Sequence, residues 1–147
     1  MGINRDKKTN ITLSILADLI DDQAENSLAF PITLVVGGQI ITGQMISEED
    51  FYGLEENRAL KPIYDIIAKE KAAFFNKDGS FANENITEDE INKIPDTIWQ
   101  RFIYLNNARY LTGSTFTPSE NVPGSAIQVR LSDVMAFNFG TFSTKSE

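Results

Sequence analysis

The sequence predicts a mainly β domain with α additions: a strongly bent five-stranded antiparallel barrel, an N-terminal helix, and a helical acidic insertion between strands 2 and 3. Three observations carry this. Apolar residues alternate at a period of two from Pro31 up to a Gly37-Gly38 turn, after which a second strand returns, and the alternation appears again in the C-terminal third. The segment 47–100 loses that period and shows helix-start signals instead. With 147 residues, 41% of them hydrophobic, the chain suffices for one buried core and falls short of two full domains. Residues 1–147 therefore read as one domain, with 47–100 inserted within it.

From residue 9, the residues Ile11, Leu13, Ile15, Leu16, Leu19 and Ile20 recur at steps of three and four, which predicts an amphipathic helix ending near Asn26. From Pro31 the period is two, with Ile32, Leu34 and Val36 on one side of a strand and Thr33 and Val35 on the other. Gly37-Gly38 supplies the positive φ that both central positions of a two-residue hairpin require, and residues 39–46 return as the second strand. Gly43 inside that strand predicts a bend or bulge.

Segment 47–100 carries 6 basic and 13 acidic residues, which is −7 of the total charge of −8. Ser47-Glu48-Glu49-Asp50 reads as a helix start, and Pro62 suits the first turn of a helix running through Phe74 or Phe75. Thr87-Glu88-Asp89-Glu90 is a capping box opening a third helix. The polar stretch 76–85, with Asp78-Gly79 at its turn, predicts an exposed loop. Strand pattern resumes over 101–111. After a loop rich in Thr, Ser, Pro and Gly at 112–125 it returns from 126 to about 142, where Ile127, Val129 and Leu131 alternate with Gln128, Arg130 and Ser132.

The chain has no Cys and no His, which removes thiolate nucleophiles, disulfides, imidazole bases and the commonest transition-metal ligands. The glycine turn at Gly79 does not fit a calcium loop, since that register puts Phe74 at the first ligand position and Asn85 at the twelfth. Neither a Gly-x-Ser-x-Gly elbow nor a phosphate-loop pattern occurs. Carboxylate hydrolysis using Asp133 and an acid of the insertion is a remote option, because nothing in the sequence makes two acids converge. A noncatalytic protein without a cofactor or metal is the expectation. No apolar run is long enough to span a membrane, and residues 1–10 do not read as a signal peptide, so a cytoplasmic protein without membrane contact is expected.

Phe137, Phe139 and Phe142, with Phe102 and Tyr104, are spaced as a buried sheet face or a subunit edge. Base stacking by the same rings would call for basic neighbours, and a charge of −8 argues against generic affinity for nucleic acid.

The hairpin Gly38-Gln39-Ile40-Ile41-Thr42-Gly43-Gln44-Met45 resembles the first motif of Sm-like small β-barrels. Ile103-Tyr104-Leu105-Asn106-Asn107-Ala108 is similar to the strand closing that motif, and Ile127-Gln128-Val129-Arg130-Leu131-Ser132-Asp133-Val134 to the second motif. In that family, Asp and Asn between strands 2 and 3 contact RNA bases, where this chain carries the acidic insertion. An Arg-Gly pair lines the family's nucleotide pocket, where Arg130 is followed here by Leu131. A likeness covering more of the chain, from about Ile32 to Gly140, runs through Ile32-Thr33-Leu34-Val35-Val36-Gly37-Gly38, Gly43, Ile46-Ser47 and Phe51-Tyr52. It continues in Phe102-Ile103-Tyr104-Leu105-Asn106-Asn107-Ala108-Arg109 and in Val129-Arg130-Leu131-Ser132-Asp133-Val134-Met135-Ala136-Phe137 with Gly140. These segments resemble the U-type (GvpU-like) gas-vesicle accessory proteins.

That resemblance implies a cytoplasmic accessory factor associating with gas-vesicle shell or assembly proteins, with no catalytic residues to carry over. The expected mode of action is protein–protein contact and self-association into a homo-oligomer through open edge strands, with Val129, Phe137 and Phe139 as the candidate edge. The alternative is an RNA-binding Sm-like ring in which Arg109 and Arg130 contact the nucleic acid.

Overall fold

In a computed structural model of the chain, residues 10–141 are described. Helix α1 (Ile11–Asp22) begins at Asn10, whose Oδ1 accepts the backbone N–H groups of Thr12 and Leu13, as an N-cap must. Its inward residues Leu13, Ala17 and Ile20 are buried at helical spacing. Ile11, Ile15 and Leu19 form a second apolar stripe that stays exposed.

Strands β1 (Phe30–Val36) and β2 (Gln39–Ile46) form the expected hairpin, with Gly37 and Gly38 both at positive φ and Val36 opposite Gln39. β2 pairs antiparallel with β3 (Phe102–Thr112), and the register shifts between Thr42 and Gln44. The predicted irregularity at Gly43 is therefore present. A side chain there would strike Ala108 of the facing strand. β4 (Thr115–Thr117) and β5 (Ser125–Arg130) both pair with β3 on its far side, and β6 (Val134–Phe139) pairs with β1.

Two expectations about the strands need correction. The sheet has six strands rather than five, the extra one being β4, a three-residue return inside the stretch expected to be loop. The segment expected as strand from 126 to about 142 is broken by a 3-10 turn over Leu131–Asp133; Phe142 lies outside the described residues. The break has a local cause. Leu131 turns into the core at 1% exposure and donates its N–H to the Arg101 carbonyl at 2.9 Å, while Ser132-Asp133 suits a turn. The chain then crosses from β3 to the opposite edge of the sheet. No pairing joins β5 to β6 among the described residues, so the sheet is not closed.

The main core joins α1 to the sheet through Ile32, Leu34, Met45, Ile103, Leu105 and Leu131, all nearly fully buried. Burying each such side chain contributes about 1.5–3 kcal/mol before entropy is counted. Thr33 is buried on the opposite face. Its hydroxyl donates to the Gly140 carbonyl at 2.8 Å, so the 3.1 Å contact with Thr42 must be donated by Thr42.

The insertion is helical, as expected: α2 (Glu48–Gly53), α3 (Lys61–Ala72) with Pro62 in its first turn, and α4 (Glu88–Asn92) capped by Thr87. α5 (Asp96–Trp99) was not foreseen, being only one turn long. The loop after α3 is closed by a Phe75–Phe81 bridge whose rings stack at 5.4 Å and meet Trp99. A second core cluster of Ile46, Phe51, Tyr52 and Tyr104 ties the insertion to the sheet.

Candidate functional site

Two surfaces present chemistry. The first is the pair of sheet edges. β5 and β6 each have one paired neighbour, which leaves the other side of each open among the described residues. On β6, Met135 is 74% and Phe139 58% exposed, and the Phe139 ring stands edge-on to Phe137 at 5.8 Å. Phe137 is half-buried against the core. Val129 lies on outer strand β5, but its side chain is buried in the core, so only its backbone faces the edge.

Arg109 and Arg130 are not brought together. Arg109 faces Thr42 in the register and Arg130 faces Phe102, which puts them roughly 20 Å apart along β3. The Arg109 guanidinium donates to the carbonyls of Pro118 and Ser119 at 3.3 and 3.0 Å and to Asn107 Oδ1 at 3.3 Å. It thereby clamps the loop between β4 and β5. Asn107, at φ +51°, also accepts the Gly124 N–H at 2.8 Å.

The second surface is a two-lobed cleft between α1, the insertion and the start of β3. Ser47, buried, caps α2 by accepting the Asp50 N–H at 3.0 Å, and the acidic first turn Glu48-Glu49-Asp50 suits the positive end of the helix. Asp21 at the end of α1 accepts the Glu48 N–H at 3.1 Å, which joins the two helix ends. Glu48 in turn accepts the Tyr104 hydroxyl at 3.2 Å and lies 3.8 Å from the Lys71 ammonium. Arg101, just before β3, donates to Ser14 and Asp18 of α1.

These contacts shift the ionisable groups. Asp21 keeps solvent access at the rim, yet the protein atoms crowding its carboxyl push its pKa up to about 6, against the Glu48 N–H that lowers it. Burial, and next the Glu48 charge, push the Tyr104 phenol far above its ordinary value, so it serves as a hydrogen-bond donor and not as a base. Asp78, expected in an exposed turn, accepts the Ser80 N–H at 2.9 Å, and the bonds from Ser80 hold its carboxyl below the usual range.

One lobe, about 220 Å³, is lined by Asp18, Asp21, Asp22, Glu48 and Asp78 together with Trp99 and Phe102. The other, about 350 Å³, lies under α3 and is lined by Leu60, Ile63, Ile67, Tyr52 and Phe102. Both lobes share Glu48, Lys71 and Tyr104. Among the described residues no three carboxylates are grouped to hold a metal ion, and no helix is long and apolar enough to cross a membrane. Sequence reasoning missed this cleft. Its available signals were the local charge of the insertion and the Tyr104 hydroxyl set between apolar Ile103 and Leu105.

A family model described as "Gas vesicle protein GvpU-like" matches residues 13–142, from within α1 to just past β6. No curated protein and no solved structure matches the chain.

Proposed function

The chain belongs to the gas vesicle protein GvpU-like family, and on that premise we propose that it is a noncatalytic cytoplasmic accessory protein. It acts through contacts with gas-vesicle components and through self-association of its sheet edges. The observation that carries the self-association is the pair of open edges, one of them presenting Met135 and Phe139 to solvent. Unpaired strand backbone beside exposed apolar side chains is a template for another chain. The Sm-like reading of the core is supported by the spatial order β6-β1-β2-β3-β5 and by the 3-10 link from β5 to β6. The engagement of Arg109 with its own loop favours protein over RNA as the partner.

Light scattering on the wild type, Met135→Lys and Phe139→Asp tests the self-association. Both positions are exposed, so the variants should keep the fold and its melting behaviour while losing oligomer mass. Equal masses for all three proteins, or a wild type that stays monomeric at every concentration, would remove edge pairing. Flotation with purified gas vesicles tests the accessory role separately.

A further inference from the structure

We infer that the two-lobed cleft is a docking groove for an amphipathic helical segment of a partner protein, one that carries an apolar stripe flanked by lysine or arginine. The inference rests on the accessory reading only in taking the partner to be a gas-vesicle component.

The apolar half of the argument is α3. This twelve-residue helix has no buried residue and stands over the 350 Å³ lobe instead of filling it. Leu60, just before α3, and Ile63 line the lobe at 38 and 52% exposure, and Ile66 of the same helix is 59% exposed. A helix with that much apolar surface in water lacks the surface it would normally cover. Its hold on the body is mainly Tyr64 stacked on Tyr52 at 4.7 Å and the long Lys71–Glu48 pair, so the groove beneath it stays accessible.

The charged half is the adjoining lobe. Its five carboxylates face three cations, Lys71, Lys77 and Arg101. Arg101 is taken by Asp18, and Lys71 sits beside Glu48. Among the described residues Asp21 and Asp22 form no salt bridge. Asp21, whose pKa is raised to about 6 by the protein atoms around its carboxyl, is stabilised in its charged form by a cation placed beside it. Apolar surface under α3 that continues into a lobe where acidic groups outnumber basic ones is complementary to a helix with an apolar face and a basic flank, the groove mode of helix recognition.

Trp99 lines the acidic lobe and is the only tryptophan of the chain, so its fluorescence reports occupancy directly. The probe is a fifteen-residue helical peptide with leucines along one face and lysines beside them. The counter-probe replaces the lysines by glutamates. The lysine peptide should perturb Trp99 and bind saturably, and the glutamate peptide should do neither. Asp22→Lys and Ile63→Ser, both at exposed positions, should each weaken binding about tenfold. Glu84→Lys, the same charge change outside the lining, should leave it within about twofold.

Equal weakening by Glu84→Lys and Asp22→Lys would reduce the effect to general charge and overturn the proposal. So would an Ile63→Ser protein that binds normally, a peptide that does not bind, or an oligomer mass that falls in Asp22→Lys because a second copy fills the groove. Flotation separates the two levels. If wild type and both cleft variants float equally with vesicles, the groove fails and the accessory reading stands. If the peptide binds as expected but wild type does not float, the accessory reading fails and the groove stands.

Discussion

Replacing Gly43 by alanine should cost about 1–2 kcal/mol, for a reason visible in one contact. A Cβ at this position would sit 3.0 Å from both Cα and Cβ of Ala108 and 3.2 Å from the Asn106 carbonyl oxygen. Carbon atoms rest at about 3.5–4.0 Å, so β2 and β3 must part by roughly 0.5 Å where Ala108 is completely buried. Overpacking of this kind costs about 1–3 kcal/mol, and the lower entropy of the unfolded alanine chain returns about 0.4–1 kcal/mol. With a urea slope of about 2 kcal/mol per molar, the unfolding midpoint should fall by roughly 0.5–1 M at unchanged slope. Adding Ala108→Gly removes one of the two close carbon contacts. A double-mutant cycle should then show a favourable coupling of about 0.5–1 kcal/mol. An unmoved midpoint, or a cycle with no coupling, would refute the claim that close strand approach requires this glycine.

Other outcomes can be checked with the same melts. A carboxyl whose pKa rises from its ordinary 3.8 to about 6 on folding binds protons more tightly folded than unfolded. Asp21 therefore loses stability as pH climbs through that window, and the loss is complete above it. Full burial would make the loss about 3 kcal/mol, and the solvent access of Asp21 reduces it to about 0.5–1 kcal/mol. Asp21→Asn, still able to accept the Glu48 N–H, should be stabilised by that amount at pH 7 and not at pH 3.5; equal gains at both pH values would reject the assignment. Tyr104→Phe removes the hydroxyl donor to Glu48 and should lower the melting free energy by about 1 kcal/mol. Arg101→Ala should cost about 1 kcal/mol, less in high salt, and hydrogen exchange should show α1 opening first.

Elements with a strong period or a marked turn were legible in the sequence. The β1–β2 hairpin was placed within a residue because Gly37-Gly38 marks its turn and a period of two leads into it along β1. Ser47 and Thr87 announced their helices by the caps they provide. The helix α5 and the strand β4 escaped because four and three residues carry no measurable period, and they form through tertiary neighbours. The break at Leu131 escaped for a different reason: its apolar character continues the strand pattern, and only the Arg101 carbonyl across the sheet shows that the chain turns. Val129 shows the same limit, since alternation identifies an inward residue without telling whether its strand lies at the edge. The cleft was missed because Asp21, Glu48 and Tyr104 come from three separate elements, α1, α2 and β3, with Arg101 just before the last, and only the fold brings them together.

The register that sets Ile46 opposite Tyr104 also governs how the chain assembles. The whole insertion leaves and re-enters the sheet at neighbouring points, so β2 and β3 meet only after a long loop has closed. Relative to a four-residue turn, loop-closure entropy makes that meeting costlier by about 2 kcal/mol, and the cost grows only logarithmically with length. The penalty falls mainly on the speed of folding, because contacts distant in sequence must be found before they stabilise anything. The same weak dependence makes the β2–β3 junction tolerant of length. Residues can be gained or lost far from its two ends with little thermodynamic consequence, which leaves the outer parts of the insertion free to diverge while the sheet beneath stays constant.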